Sequence, residues 1–285
     1  MKKDSNGLSR RTFLKTSGLA ITGTPAGRSA ALGEAFKNET LQVWSCGGLA
    51  EAFIPANGRY KEISGTSIAY TGAFAAALGK SLLGSAQTEV FAPRVLELAR
   101  KLKARGKMLY FKPLCFTRYV LVTPRGNPAN IQRIEDLARP GVRVVLSPDA
   151  SAPGGKASII ILKKAGVLEG AEKNAIVRGD CVQRVIPYLV NGKGDVAVAE
   201  ARLTCLPEFR NKLDVIDIPE KFIPGPPVPF TIGVMKWAKN RDLAEDFVNF
   251  ILLEQGQSFF ERAGFIPAVS KTGERLIKKY GVTDA

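Results

Sequence analysis

Three times along this chain a short apolar run stops at glycine or hydroxyl residues and restarts as a helix, and that rhythm limits the fold more than any other feature. Residues 41–44 (LQVW) read as a buried strand, Ser45-Cys46-Gly47-Gly48 as a turn, and residues 49–60 as the helix beyond it. Residues 66–70 make the next strand, followed by the loop Tyr70-Thr71-Gly72-Ala73-Phe74-Ala75 and a helix over 73–83. A third strand over 88–91 precedes a helix over 95–104, whose Val95, Leu96, Leu98, Ala99 and Leu102 recur on one face. Strands alternating with helices predict a parallel α/β layer, because each crossover helix must cover the sheet that its strands build.

The rhythm then resumes. Residues 116–123 read as a strand rich in β-branched and aromatic residues, closed by the turn Pro124-Arg125-Gly126-Asn127-Pro128. A short helix over 134–137, a strand over 143–146, the polar loop 147–155, helices over 156–165 and 182–191, and a strand over 195–199 make a second unit. A strand over 228–234, a helix over 242–255 and a block over 257–264 follow. Two units of like rhythm with a long strand between them predict an α/β fold of two three-layer lobes joined by crossover strands. Lobe one is expected to be discontinuous, 40–113 plus 206–285, with lobe two over 114–205. Loops and helix starts of both lobes then face one cleft, where free backbone N–H groups can hold an anion.

Residues 1–36 read as an export segment. Ser9-Arg10-Arg11-Thr12-Phe13-Leu14-Lys15 carries the twin-arginine pattern, and a weakly apolar stretch rich in Ala, Gly and Thr follows it. The expected partner is the twin-arginine export machinery, and the expected location is the periplasm or cell exterior. No uncharged apolar run reaches the roughly 18 residues that a membrane-spanning helix needs. Formal net charge is +15, of which Lys2, Lys3, Arg10, Arg11, Lys15 and Arg28 against Asp4 and Glu34 account for +4, leaving about +11 on the body. That excess favours a small anionic ligand. No helix-turn-helix, zinc-finger or single-strand-binding signature accompanies it, so no nucleic acid is expected, and the chain is expected to be a monomer.

The chain contains no histidine. This removes the usual general base near neutral pH and any His-containing zinc site. Cys46, at a helix start, is the candidate nucleophile, but without a base or a G-x-S-x-G or Ser-x-x-Lys pattern an enzyme is not expected. Gly47 and Gly48 permit a sharp turn and close backbone approach, although neither G-x-G-x-x-G nor a Walker lysine is present. Thr71, Gly72, Ala73 and Phe74 repeat that loop, and Gly154 and Gly155 close the equivalent one in lobe two. Asp180 stands where it can cap the helix that Val182 begins. Glu200 and Arg202 end the strand over 195–199 as a cleft pair or a hinge ion pair, and Arg178 or Arg202 can balance a bound anion.

Cys46, Cys115, Cys181 and Cys205 are widely spaced, and three readings stand open. An even count in an exported protein suggests one or two disulfides across the hinge. Alternatively, Cys46, Cys181, Glu200 and Cys205 converge on a soft metal, metalloid or metal complex as cargo. The third reading leaves them as unpaired buried thiols. No resident cofactor is expected.

Seven stretches in order, VWSCGGLAEAF, YTGAFAAAL, TEVF, FTRYVLVTPRGNPANI, SPDASAPGGKASIIILKKAGV, CVQRVIPYLVNGKGDVAVAEAR, and PFTIGVMKWAKN through FFERAGFIP, span most of residues 41–267. Together they resemble the periplasmic solute-binding proteins of ABC importers, most closely the molybdate/tungstate-binding family. The resemblance implies two lobes that close on a tetrahedral oxyanion and deliver it to a membrane permease, with crossovers at residues 116–123 and after Ala199. It also implies an anion held by hydroxyls in the first two loops, backbone N–H groups in the proline-glycine loop and at a later helix start, and a tyrosine after the last lobe-two strand. In this chain those positions hold Gly48, the run Phe74-Ala75-Ala76-Ala77, Gly154, Val182 and Glu200.

Overall fold

The computed structural model describes residues 36–148, 154–225 and 228–284. The expected N-terminal export segment lies outside the described residues. β1 (Thr40–Cys46) passes through a 3-10 turn (Gly47–Leu49) into α1 (Ala50–Ser64). There Ala52, Phe53, Ala56 and Tyr60 form the buried stripe of an amphipathic helix. Gly65, at φ 71°, ends the helix in the left-handed conformation that glycine adopts without steric cost. β2 (Ser67–Ala73), α2 (Ala75–Leu83), β3 (Val90–Ala92) and α3 (Leu96–Ala104) complete the expected alternation.

Six strands make the first sheet, in the order β11-β4-β10-β3-β1-β2. β1 lies parallel to β2 and β3, whereas β10 (Pro229–Val234) runs antiparallel to β3 and to β4 (Lys112–Phe116), and β11 (Ile266–Pro267) closes the edge. The second sheet has the order β7-β6-β8-β5-β9, formed by β5 (Tyr119–Pro124), β6 (Val144–Leu146), β7 (Ala175–Arg178), β8 (Val196–Glu200) and β9 (Leu213–Asp217). Around it lie α4 (Gly154–Lys164), α5 (Leu168–Lys173) and α6 (Val182–Val190); α7 (Arg241–Leu252), α8 (Glu254–Arg262) and α9 (Lys271–Tyr280) follow the return to the first sheet. The architecture is thus the expected bilobal α/β fold, with mixed rather than purely parallel sheets.

The single long strand expected over 116–123 is two strands. The chain leaves the first sheet at Phe116, passes Thr117 and Arg118, and enters the second sheet at Tyr119. The apolar pattern runs unbroken because both halves are buried, each in its own sheet. The return crossing comes after β9, not directly after Ala199, because β9 pairs antiparallel with β5. Residues 213–217, expected in lobe one, therefore belong to the second sheet. Phe91, Phe111, Phe116, Leu121, Val144 and Ile161 belong to one buried cluster that runs across this junction. Burying each such side chain stabilises the fold by roughly 1.5–3 kcal/mol. A second cluster, with Phe53, Tyr60, Phe230, Phe247 and Phe260, packs α1, α7 and α8 on the first sheet.

All four cysteines are free, Cys46 and Cys115 buried and Cys181 and Cys205 half-buried, so the disulfide reading does not hold here.

Candidate functional site

A cavity of about 500 Å³ opens between the two sheets. Lobe one contributes Cys46, Gly47 and Gly48 from the turn after β1, and Gly72, Ala73, Phe74 and Ala75 from the end of β2 and the start of α2. Lobe two contributes Cys181, Val182 and Gln183 from the start of α6, and Glu200 and Arg202 from the end of β8. Three helix starts therefore meet at one cavity. Each presents backbone N–H groups without helical partners and the positive end of a helix dipole.

The floor is ionic and joins the lobes. Arg94, in the loop after β3, donates from Nη2 to Glu200 Oε1 at 2.5 Å and to the Tyr119 hydroxyl at 2.9 Å. Its guanidinium also lies 5.2 Å from the centre of the Phe230 ring. Arg202 Nε donates to the other oxygen, Glu200 Oε2, at 2.8 Å, and Arg202 Nη1 lies 3.6 Å from Glu51 Oε1 on α1. Arg94 and Glu200 are both almost completely buried. Burial alone would raise the Glu200 pKa, but Arg94 and then Arg202 outweigh it and bring the carboxyl down to about 2. Two guanidinium groups and two carboxylates thus balance within the cleft. Val95, next to Arg94, has φ 75°. A β-branched residue rarely adopts that conformation, so backbone strain is stored where the chain delivers Arg94 to the cleft.

The two glycines of the first turn sit at ordinary van der Waals distance from their neighbours, so an added Cβ would fit there without displacing them. A Cβ on Gly48 would lie 3.4 Å from Arg202 Nε, and one on Gly47 would lie 3.5 Å from the Ala73 carbonyl oxygen. Behind the turn, the buried Ser45 hydroxyl donates to the Cys46 carbonyl at 3.0 Å and receives the Tyr70 hydroxyl at 2.7 Å. Burial pushes the Tyr70 pKa up to about 12, against the lowering effect of Ser45. Ser45 is therefore committed behind the wall and does not line the cavity.

Of the residues expected at the site, Cys46, Gly47, Gly48, Gly72, Ala73, Phe74, Cys181, Val182, Glu200 and Arg202 line the cavity. Thr71 is exposed beside it, in register with Trp44 of β1. Gly154 and Gly155 open α4; Gly155 is not among the described residues that line the cavity, and its carbonyl accepts from Ser158. Arg178 pairs with Glu172 away from the cleft, and Asp180 pairs with Arg184 instead of capping α6. Arg94, Tyr119 and Glu51 carried no sequence signal, since each acquires its role only through a partner distant in the chain.

Cys46 and Cys181 both line the cleft, but the four residues expected to hold a soft metal are not drawn into one cluster. Among the described residues no group of three or more His, Cys, Asp or Glu side chains is placed to hold a metal ion. Glu200 is engaged by two arginines, and Cys205 lines a different cavity. Nor is Cys46 an activated nucleophile. Burial raises its thiol pKa against the opposing effects of Arg94, the Gly48 N–H and Arg202.

A family profile described as bacterial extracellular solute-binding protein matches residues 41–266. The molybdate-binding protein ModA of Mycobacterium tuberculosis is 24% identical over 259 residues, covering 87% of this chain and 92% of that protein. Among solved structures, the periplasmic molybdate-binding protein of Azotobacter vinelandii superposes with a TM-score of 0.64 at 17% identity, over 79% of this chain and 98% of that one. L-phospholactate-bound PEB3 of Campylobacter jejuni superposes with a TM-score of 0.59 at 15% identity, over 79% and 99%. At these identities the structural likeness establishes the shared fold.

Proposed function

The chain belongs to the bacterial extracellular solute-binding proteins, and we propose that it captures a small oxyanion, of the molybdate or tungstate kind, by closing its two lobes on it. Proteins of this family act outside the cytoplasmic membrane and pass their solute to an ABC importer, without making or breaking bonds. The observation that carries the anion reading is the meeting of three helix starts at one cavity. N–H groups so arranged hold an anion without a dedicated side chain. The ion set on the floor is neutral in sum, so the backbone dipoles supply the attraction, while Glu200 keeps Arg94 and Arg202 from standing as unpaired buried charges. Phe74 and the alanines after it replace hydroxyls with apolar walls, which leaves the N–H groups as the principal donors of that loop.

The ligand site comprises the Cys46–Gly48 turn, the loop from Thr71 to Phe74 and the start of α6, with Gly154 and Gly155 brought in by closure. Export proceeds by the twin-arginine route, and replacing Arg10 and Arg11 by lysine should retain the precursor in the cytoplasm. Calorimetric titration of ligand-stripped protein with molybdate, tungstate, sulfate, phosphate and phospholactate tests the capture. The panel includes an organic anion because about 500 Å³ also suits a small organic ligand. Saturable binding of one inorganic member supports the proposal. Binding of phospholactate alone would replace the oxyanion by an organic acid, and no heat from any member would overturn the anion reading.

A further inference from the structure

On the far side of the lobe junction lies a second cavity, of about 440 Å³, lined by Arg125, Thr204, Cys205, Arg210, Asn211, Leu213 and Arg262. Its three arginines come from three segments: the turn after β5, the turn before β9, and the last residue of α8. Arg125 and Arg210 belong to lobe two, and Arg262 to lobe one.

Most described arginines face a carboxylate, but none of these three lies within ion-pair distance of a described one. Neutral groups hold them instead. Arg125 Nη1 donates to the Asn211 carbonyl at 3.0 Å, Arg210 Nη2 to the Cys205 carbonyl at 3.3 Å, and Arg262 Nη1 to Ser258 Oγ at 3.2 Å. The Arg262 guanidinium also stacks 4.5 Å over the Phe259 ring. Of the acids near them in the chain, Glu208 accepts from Gln183, and Asp214 accepts from the Gly126 N–H beside Arg125. Three guanidinium forks with remaining donors, none in an ion pair with a described carboxylate, match the oxygens of a phosphate group.

We propose that this cavity is a second anion site, distinct from the solute cleft, that binds a phosphate-type polyanion and bridges the two lobes through Arg262 on one side and Arg125 and Arg210 on the other. The 3-10 turn Ala201–Cys205 connects it to the cleft, carrying Arg202 into the first cavity and Thr204 and Cys205 into the second. Gly264, two residues beyond Arg262, packs on the same turn: a Cβ there would lie 2.8 Å from Arg202 Cα and 3.0 Å from Cys205 Sγ. The two cavities thus share one turn of the chain.

The test titrates the full chain with inorganic pyrophosphate by calorimetry. Arg125→Gln/Arg210→Gln/Arg262→Gln should weaken binding at least 100-fold, since each charge-assisted fork contributes about tenfold. Arg262→Gln alone should weaken it about tenfold. A charge-matched control at exposed positions elsewhere, Arg105→Gln/Lys164→Gln/Lys193→Gln, should keep wild-type affinity. All three cavity arginines are exposed, so the variants should retain the fold, which circular dichroism checks. Pyrophosphate bound equally well by the triple variant, or lost equally in the control, overturns the proposal; so does a wild type that does not bind it. Co-sedimentation with phosphatidylglycerol vesicles, against phosphatidylcholine alone, separates the sources. Loss of vesicle binding in the triple variant identifies a lipid headgroup, and pyrophosphate binding without vesicle binding identifies a soluble polyanion.

Discussion

Replacing Glu200 by glutamine keeps the side chain's size and removes only its charge. The carboxyl sits at about 2 in the folded protein, against an ordinary value of 4.5. That difference corresponds to roughly 3 kcal/mol of stability at neutral pH. For a protein of this size, Glu200→Gln should therefore lower the melting temperature by roughly 6–12 °C at pH 7. The sign with pH follows from proton uptake. Between pH 4.5 and about 2 the unfolded chain protonates this carboxyl and the folded chain does not, so the wild type loses this contribution as pH falls while the variant does not. The gap in stability, measured by urea denaturation across pH, should be full above pH 4.5 and nearly closed near pH 2. The same substitution leaves an uncompensated positive charge on the cleft floor and should tighten oxyanion binding about tenfold or more. A variant as stable as wild type at pH 7, or a gap that persists undiminished near pH 2, would falsify the placement of an ionised Glu200 between Arg94 and Arg202.

Gly264→Ala combines a left-handed φ of 84° with a Cβ 2.8 Å from the Arg202 backbone, and should cost roughly 2–4 kcal/mol in urea denaturation; an unchanged midpoint would mean that lobe one does not rest on this turn. In a thiol titration, Cys181 and Cys205 should react first, Cys46 slowly because burial raises its pKa, and Cys115 only on unfolding. Rapid selective labelling of Cys46 would contradict its burial. Phe74→Ala removes a ring that is 68% exposed at the cleft, so stability should change by less than about 0.5 kcal/mol while solute affinity changes, as paired denaturation and calorimetry would show.

Local features were readable wherever a few neighbouring residues determine the outcome. The turn at Gly47 and Gly48 and the start of α6 at Val182 were visible because glycine and hydrophobic periodicity act over single turns of chain. The junction between β4 and β5 was not visible, because a strand buried in either sheet shows the same apolar pattern. Helix α5 and strand β7 are too short for a periodic pattern to stand out, and α9 is mostly polar, with few apolar residues to mark its buried face.

The sequence by itself determined the alternation of strands and helices, the two-lobed α/β fold that follows from it, and the loops that flank a cleft, since all of these arise from local propensity and apolar patterning. Only the tertiary structure decided what the cleft contains. Arg94 and Glu200 are 106 residues apart and come from different sheets, and nothing near either one in the chain marks it as the other's partner. Their pairing exists because two buried charges must find each other once the lobes are packed, whereas the three arginines of the second cavity are held by neutral groups and make no ion pair with a described carboxylate.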